Sequence, residues 1–196
     1  MIASLRRLRR DNRGNAITEF GILAPVMLCL WMGLGDVLYQ AYLQSVLNGA
    51  VQKAGRDSGV EGGAANTSTI DAKVQTAIRQ LARSATFSSA RRSYDSFTEV
   101  APEPFTDTNS NGVRDPGECF TDQNANGTWD SDPGTAGQGG ANAVTLYTVT
   151  VTYPRLFPIW AFVPGFGGTQ TISAATLLKN QPYATQSTTT AVAVCT

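Results

Sequence analysis

Arg13-Gly-Asn-Ala-Ile-Thr-Glu-Phe-Gly-Ile-Leu-Ala-Pro-Val-Met-Leu-Cys-Leu-Trp-Met-Gly-Leu34 holds three signals in register. Arginines lead up to a small residue, Gly14. Glu19 stands at the fifth position after it, with aromatic Phe20 next, and residues 20–35 then carry no charge. From Ile17 to Leu47 the stretch reads as one helix. A span needs roughly 20 apolar residues, so this helix crosses a bilayer only if Glu19 enters the membrane or sits at its edge. A carboxylate near the bilayer centre costs about 2.5–3.5 kcal/mol and therefore calls for a partner. Glu19 at the front of the run, with no Ala-x-Ala site behind it, does not suit a removable signal peptide. Pro25 loosens the helix, a defect that membrane helices tolerate.

These residues resemble the N-terminus of type IV pilins and pseudopilins. Arg-Gly-Asn-Ala-Ile-Thr-Glu-Phe followed by the Ala24-Pro25 break is similar to TadE-like proteins, minor pseudopilins of the Tad (tight adherence) pilus. The resemblance implies that a prepilin peptidase cuts between Gly14 and Asn15. It also implies that Glu19, with Phe20 beside it, meets the new terminal amine of a neighbouring subunit, which would offset the carboxylate's burial. An ordinary signal anchor is the plainer alternative.

Charge is balanced over the 196 residues, with fifteen basic and fifteen acidic, but it is unevenly spread. Arg6, Arg7, Arg9, Arg10, Arg13 and Asp11 precede the expected cut, so the remainder carries a net charge of −4. By the positive-inside rule residues 1–14 face the cytoplasm and everything after Asp36 lies outside. An acidic exported part does not suit nucleic acid. The absence of histidine removes Ser-His-Asp and Cys-His catalysis and the usual zinc ligand sets. Cys29 lies within the apolar run. Cys119 and Cys195 both face the oxidising side, and elimination leaves them as the candidate disulfide pair.

Beyond the span the helix continues to about residue 54, with a stripe of Val37, Leu38, Ala41, Tyr42, Ser45, Val46 and Gly49 facing either its own domain or neighbours. Gly55, Gly59, Gly62 and Gly63 are expected to end it in a flexible loop. A second helix starts near Ser68, whose spacing to Asp71 fits a capping arrangement. Its core stripe is Ile70, Val74, Ala77, Ile78, Leu81 and Ala85. Arg79 and Arg83 lie off that stripe, and residues 86–102 give no clear pattern.

A 15-residue internal repeat follows. Glu103-Pro-Phe-Thr-Asp-Thr-Asn-Ser-Asn-Gly-Val-Arg-Asp-Pro-Gly is followed at once by Glu118-Cys-Phe-Thr-Asp-Gln-Asn-Ala-Asn-Gly-Thr-Trp-Asp-Ser-Asp. The first copy carries Asp107, Asn109 and Asn111 at positions one, three and five of a calcium loop and Gly112 at the turn. The Val113 carbonyl falls at seven, Asp115 at nine and Glu118 at twelve. Alternate positions of a tight loop aim hard oxygen ligands at one centre, which is what calcium requires. The second copy offers Asp122, Asn124, Asn126, Thr128 and Asp130, but Pro133 stands at twelve. Asp132 is the expected substitute, giving a weaker or differently closed site. The loops resemble calcium loops of the EF-hand and dockerin type. Pro102, Pro104, Pro116 and Pro133 do not suit flanking helices, so a structural clamp is expected rather than a sensor. Extracellular modules of this kind bind at about 10⁻⁴–10⁻³ M.

After a Gly-rich linker, Val144–Tyr153 alternates as a strand, with Tyr147, Val149, Val151 and Tyr153 on one face. Thr169–Leu178 reads as its antiparallel partner. The apolar loop between them, 156–168, has two readings: core filling, or contact with the membrane surface or a partner. Tyr153-Pro-x-Leu-Phe-Pro158, the loop, the second strand and Asn180-Gln-Pro-Tyr183 also resemble the C-terminal region of TadE-like proteins. Residues 184–194 are expected to add a last strand.

The sequence thus predicts an α+β, pilin-like chain. Residues 1–14 form a cleaved basic leader, 15–54 a transmembrane and stalk helix, and 55–196 a periplasmic domain holding the calcium repeat at 103–133. The resemblance implies a minor pseudopilin of the inner membrane, with the C-terminal domain periplasmic or carried into the extracellular pilus. Its expected partners are the prepilin peptidase, other TadE- or TadF-like minor pilins or the major pilin, and membrane lipid, without nucleic acid. A membrane-anchored calcium-binding adhesion module is the rival reading. Carboxylate chemistry needs no histidine, but the visible carboxylates follow a calcium pattern and no nucleophile or phosphate loop stands out, so no enzyme is expected.

Overall fold

The computed structural model describes residues 15–59, 66–161, 163–181 and 189–195. The leader with Gly14, the loop residues Gly62 and Gly63, and 184–188 of the expected last strand lie outside them. Two compact units divide the chain: Met1–Tyr42 with Pro154–Gln170, and Leu43–Tyr153 with Thr171–Thr196.

In the first unit, helix α1 (Asn15–Gly59) begins. Its apolar side chains from Ile17 through Leu34 are largely exposed, including Ile22, Leu28 and Trp31. By length and composition α1 can cross a membrane. The exposed lining is what a helix solvated by lipid or by other helices requires. Residues 154–170 fold back on this part of the helix and are described below.

The second unit contains the C-terminal part of α1, helix α2 (Thr67–Arg79), and a four-stranded sheet in the order β3-β1-β4-β5. The strands are β1 (Thr86–Tyr94), β3 (Thr135–Ala136), β4 (Val144–Pro154) and β5 (Thr169–Lys179); β2 (Cys119–Asp122) pairs separately with β6 (Val192–Cys195). Strand β4 buries Tyr147, Val149, Val151 and Tyr153, following the alternation in the sequence. It runs antiparallel to β1, with Phe87 opposite Val151 and Arg91 opposite Tyr147. Ile70, Val74 and Ile78 of α2 are buried. The helix lacks the expected cap, since Asn66 precedes it without a side-chain capping bond.

One open alternative is decided here, one expectation is corrected and one unread stretch is placed. Leu43, Leu47, Val51 and Ala54 form the buried stripe of α1, whereas Val37, Leu38 and Tyr42 are more than half exposed. Ala41, Ser45 and Gly49 are exposed as well. The small-residue stripe therefore does not face the domain core. Helix α1 also runs through Gly55 to Gly59. Gly55 is needed for contact rather than for a break, because a Cβ there would lie 2.7 Å from Thr176 Cγ2 of β5. Residues 86–94, unreadable in the sequence, form β1, one of the two inner strands of the sheet. The Gly-rich linker supplies its other neighbour, β3, with Arg92 opposite Ala136.

Two polar clusters hold these layers. Asn180 Nδ2 donates to the carbonyls of Gln138 (2.8 Å) and Gly140 (2.9 Å), and Thr145 Oγ1 donates to the Gln138 carbonyl (2.6 Å). Asp71 of α2 accepts from Arg91 Nη2 (2.5 Å), Tyr147 Oη (2.6 Å) and Ser89 Oγ (2.8 Å). The Arg91 guanidinium also lies 4.2 Å from the Tyr147 ring centroid. Burial alone would raise the Asp71 carboxyl, but Arg91, Tyr147 and Ser89 outweigh it and hold the pKa below its ordinary 3.8. Burial and then Asp71 push the Tyr147 hydroxyl up. A lowered acid stabilises the fold above its ordinary pKa and loses that stability as pH falls through its folded value. The raised tyrosine contributes below about pH 10 and is lost as pH rises through its folded value. Asp71→Asn is therefore expected to cost about 3 kcal/mol at neutral pH, the low end for breaking a buried pair, because Asp71 keeps a wet side. In urea unfolding the gap from wild type should begin to narrow as the pH falls below about 4, the unfolded value, and close only once the pH passes the lowered folded value, where wild-type Asp71 is neutral as well. A gap that persists unchanged in acid would mean that the charge contributes nothing.

Candidate functional site

The two copies of the repeat fold as two equivalent loops, and every main contact in one recurs 15 residues later. Phe105 bridges Phe120 in antiparallel register. Thr106 N donates to the Cys119 carbonyl and Thr121 N to the Pro104 carbonyl, both at 2.8 Å. The segments leading into the two loops are thus paired with each other about a local two-fold. Both loops take left-handed backbone at the same steps, with φ of 60° and 77° at Ser110 and Gly112, and 58° and 78° at Ala125 and Gly127. Asp107 accepts Gly112 N (2.8 Å) as Asp122 accepts Gly127 N (2.7 Å). Asn109 and Asn111 donate their Nδ2 groups to Asp115 Oδ2, each at 2.7 Å. Asn124 and Asn126 do the same to Asp130 Oδ2, at 2.9 and 2.6 Å.

The symmetry extends to the closing glutamates. Buried Glu118 accepts Thr108 N (2.8 Å) and Asp115 N (3.0 Å), clamping the first loop at both ends. Those amides, and then the Thr108 hydroxyl, hold its pKa below the ordinary value. In the second loop the same two positions are occupied by Gln123 and Asp130, and their amides donate to Glu103 at 2.7 and 2.9 Å. Glu103 is 1% exposed. Each copy therefore begins with the glutamate that closes the other copy's loop. The backbone follows the same rule: Glu118 N donates to the Asp115 carbonyl and Glu103 N to the Asp130 carbonyl.

Asp132, expected at this position, instead pairs with Arg92 (3.2 Å) and accepts the Tyr94 hydroxyl (2.8 Å). Burial and this carboxylate push the tyrosine up to about 12. Glu103 opens the repeat, and its one sequence signal is that it lies 15 residues before Glu118. Among the described residues no three Cys, Asp or Glu side chains are gathered as a metal cage. The loop carboxylates stand apart, each held by backbone amides or asparagine. Val113 and Thr128 are exposed at position seven of their loops.

Cys119 at the start of β2 is bonded to Cys195 at the end of β6, directly across the ribbon. Cys29 is a free thiol on α1. At the other end of the chain α1 starts at Asn15, and Glu19 and Phe20 are exposed on its first turns. An uncovered carboxylate lies at the head of an uncovered apolar helix, and no ion pair to it forms among the described residues.

Residues 14–56 match the family model for TadE-like proteins. No curated protein and no solved structure matches the chain. The TadE-like segment contains the apolar part of α1, Glu19, and the helix up to its last turn. The repeat, both loops and the disulfide lie outside it. Among the described residues one helix, near the N-terminus, is long and apolar enough to cross a membrane, which together with this match fits a membrane-anchored protein; TadE-like proteins are structural components of Tad pili rather than enzymes.

Proposed function

We propose that the chain is a minor pseudopilin that takes part in assembly of a Tad-type pilus, carrying a calcium-clamped module on its exported domain. The observation behind the pilus reading is the TadE-like match, which coincides with a helix whose apolar face is uncovered from Ile17 to Leu34. A prepilin peptidase would cut between Gly14 and Asn15. Glu19 would then pair with the terminal amine of a neighbouring subunit and set the register of packed helices, with Phe20 and the small-residue stripe among the packing surfaces. TadE- or TadF-like minor pilins or the major pilin would supply those neighbours. The exported domain would lie in the periplasm or on the extracellular filament.

The repeat supports calcium as its ligand. The first loop offers Asp107, Asn109, Asn111, the Val113 carbonyl, Asp115 and Glu118. The second offers Asp122, Asn124, Asn126, the Thr128 carbonyl and Asp130, with Glu103 as its closing carboxylate in place of Asp132. Calcium would replace the Nδ2–carboxylate contacts with Oδ1 ligands, so the four asparagines would have to turn and release the backbone amides that their Oδ1 atoms accept.

The N-terminal residue of the protein recovered from native envelopes tests the pilus reading. A terminus at Asn15 is expected. A chain that still begins at Met1 in cells with an active prepilin peptidase would overturn it. The alternative, a membrane-anchored calcium-binding surface module, would then be favoured, because the repeat lies outside the TadE-like segment.

A further inference from the structure

We propose that the apolar loop between β4 and β5 is a second membrane contact, an interfacial collar seated in the leaflet where α1 leaves the bilayer. This rests on the membrane-anchored reading of α1. From Ile17 to Gly35 the helix rises by about 28 Å at 1.5 Å per residue, close to the roughly 30 Å of a hydrocarbon core. Asp36 therefore marks the far boundary.

The loop is fastened at that level. Asp36, 2% exposed, accepts from the Arg155 guanidinium and from Leu156 N at 3.2 Å. The Phe157 ring lies where a side chain on residue 35 would be, 2.9 Å from the position of a Cβ on Gly35. One turn further along, Gln170 Nε2 donates to Gln40 Oε1 at 2.6 Å. The loop is tied to α1 at both of its ends, so its height on the helix is fixed.

Between these ties it is closed on itself. Arg155 N and Nε donate to the carbonyls of Gly168 (3.0 Å) and Gly167 (2.9 Å), and the guanidinium covers Phe166 at 5.4 Å. A short 3-10 turn, Ile159–Ala161, buries Ile159 and leaves Trp160 outward. Leu156, Trp160 and Phe166 are 53%, 43% and 48% exposed. An apolar loop interrupted by Pro158 and Pro164 is too short and broken to span. Tryptophan is a side chain that the headgroup region favours, and phenylalanine and leucine beside it suit the headgroup–acyl boundary just beneath. The loop is tied beside residues 35 and 36, where the uncovered apolar lining of α1 reaches its end after Leu34. A place at the end of a bilayer-length span selects lipid as the occupant over a second copy of the chain.

The full chain in phosphatidylcholine–phosphatidylglycerol vesicles carries the test. It has three tryptophans, Trp31, Trp129 and Trp160. A Trp31→Phe, Trp129→Tyr variant reports on Trp160, and a Trp129→Tyr, Trp160→Phe variant reports on Trp31. Trp160→Phe alone gives the same signal by difference, should Trp129→Tyr fold poorly. Trp160 should lose emission most to a quencher at the lipid headgroup, less to one at the chain ends, and little to aqueous iodide. Trp31 should respond to the chain-end quencher. A Trp160 open to iodide and blind to lipid quenchers would overturn the collar while Trp31 upheld the span. Shielding from both that depends on the protein-to-lipid ratio would assign the loop to a second copy and overturn the collar likewise. A Trp31 blind to the chain-end quencher would remove the span and the collar with it.

Discussion

Raising free calcium from a chelated baseline to about 10 mM is expected to lift the thermal midpoint of the exported domain by about 10–20 °C. With two sites at about 10⁻⁴–10⁻³ M, that concentration is 10 to 100 times Kd and contributes about 1.4–2.7 kcal/mol per site. For a domain of about 140 residues each kcal/mol moves the midpoint by about 4 °C. The local two-fold makes the two loops a joint unit. Both loops spring from the paired segments 104–106 and 119–121, so ordering one loop fixes the base of the other. Glu118→Gln should remove one bound calcium per chain in isothermal titration, and Glu103→Gln should remove the other. Asp132→Asn should leave the stoichiometry at two, because Asp132 serves Arg92 and Tyr94. Loss of the second site in Asp132→Asn, with Glu103→Gln intact, would reverse the assignment of the closing residue. A domain equally stable in calcium and in chelator would leave the loops held by their own asparagine–aspartate and amide–carboxylate hydrogen bonds, without a metal.

What could be read from the chain depended on whether local pattern or distant partner decided each position. Tyr147, Val149, Val151 and Tyr153 were legible because a strand with one wet face alternates strictly, and nothing far away alters that. Helix α1 is harder, because it has two apolar faces. Leu43, Leu47, Val51 and Ala54 recur at helical spacing, and so do Val37, Leu38, Ala41, Tyr42, Ser45 and Val46. Periodicity cannot say which face meets the domain when the other serves lipid or neighbours. Strand β1 was invisible for the opposite reason. Thr-Phe-Ser-Ser-Ala-Arg-Arg-Ser-Tyr has few apolar residues, and Arg91 is buried only because Asp71 reaches it from another element. Asp71 itself read as a capping residue, and only the sheet opposite shows its use. Gly55 read as a helix stop, since close approach of Thr176 cannot be seen from either residue alone. The repeat declared its ligand pattern, but Glu103 looked like the mere start of a copy. Its role emerges only when the two copies pair about their local two-fold, so that an end missing from one loop is supplied by the beginning of the other.

Replacing Cys119 and Cys195 together by serine is expected to cost about 4.5 kcal/mol, the chain-entropy value for a bridge closing 76 residues. The geometry explains why so distant a pair is needed. β6 is four residues long and among the described residues pairs with β2 alone, with Cys119, Phe120, Thr121 and Asp122 opposite Cys195, Val194, Ala193 and Val192. A two-stranded ribbon is marginal in water, and Val192 is 53% exposed, so little apolar burial on that strand favours pairing. The covalent bond holds the C-terminal end of the chain against the base of both loops. β2 is flanked by Glu118 on one side and runs into Asp122 on the other, so loosening it disturbs a closing glutamate and a first-position aspartate together. The double serine variant should therefore lose calcium-dependent stabilisation as well as baseline stability, and amide exchange at Phe120–Asp122 should accelerate ahead of that in β4. A loss below about 1 kcal/mol with calcium binding intact, well short of the 2–5 expected for a native bridge, would mean that β6 detaches without consequence. The loops would then stand on the paired segments 104–106 and 119–121 and on their closing glutamates, without help from β6.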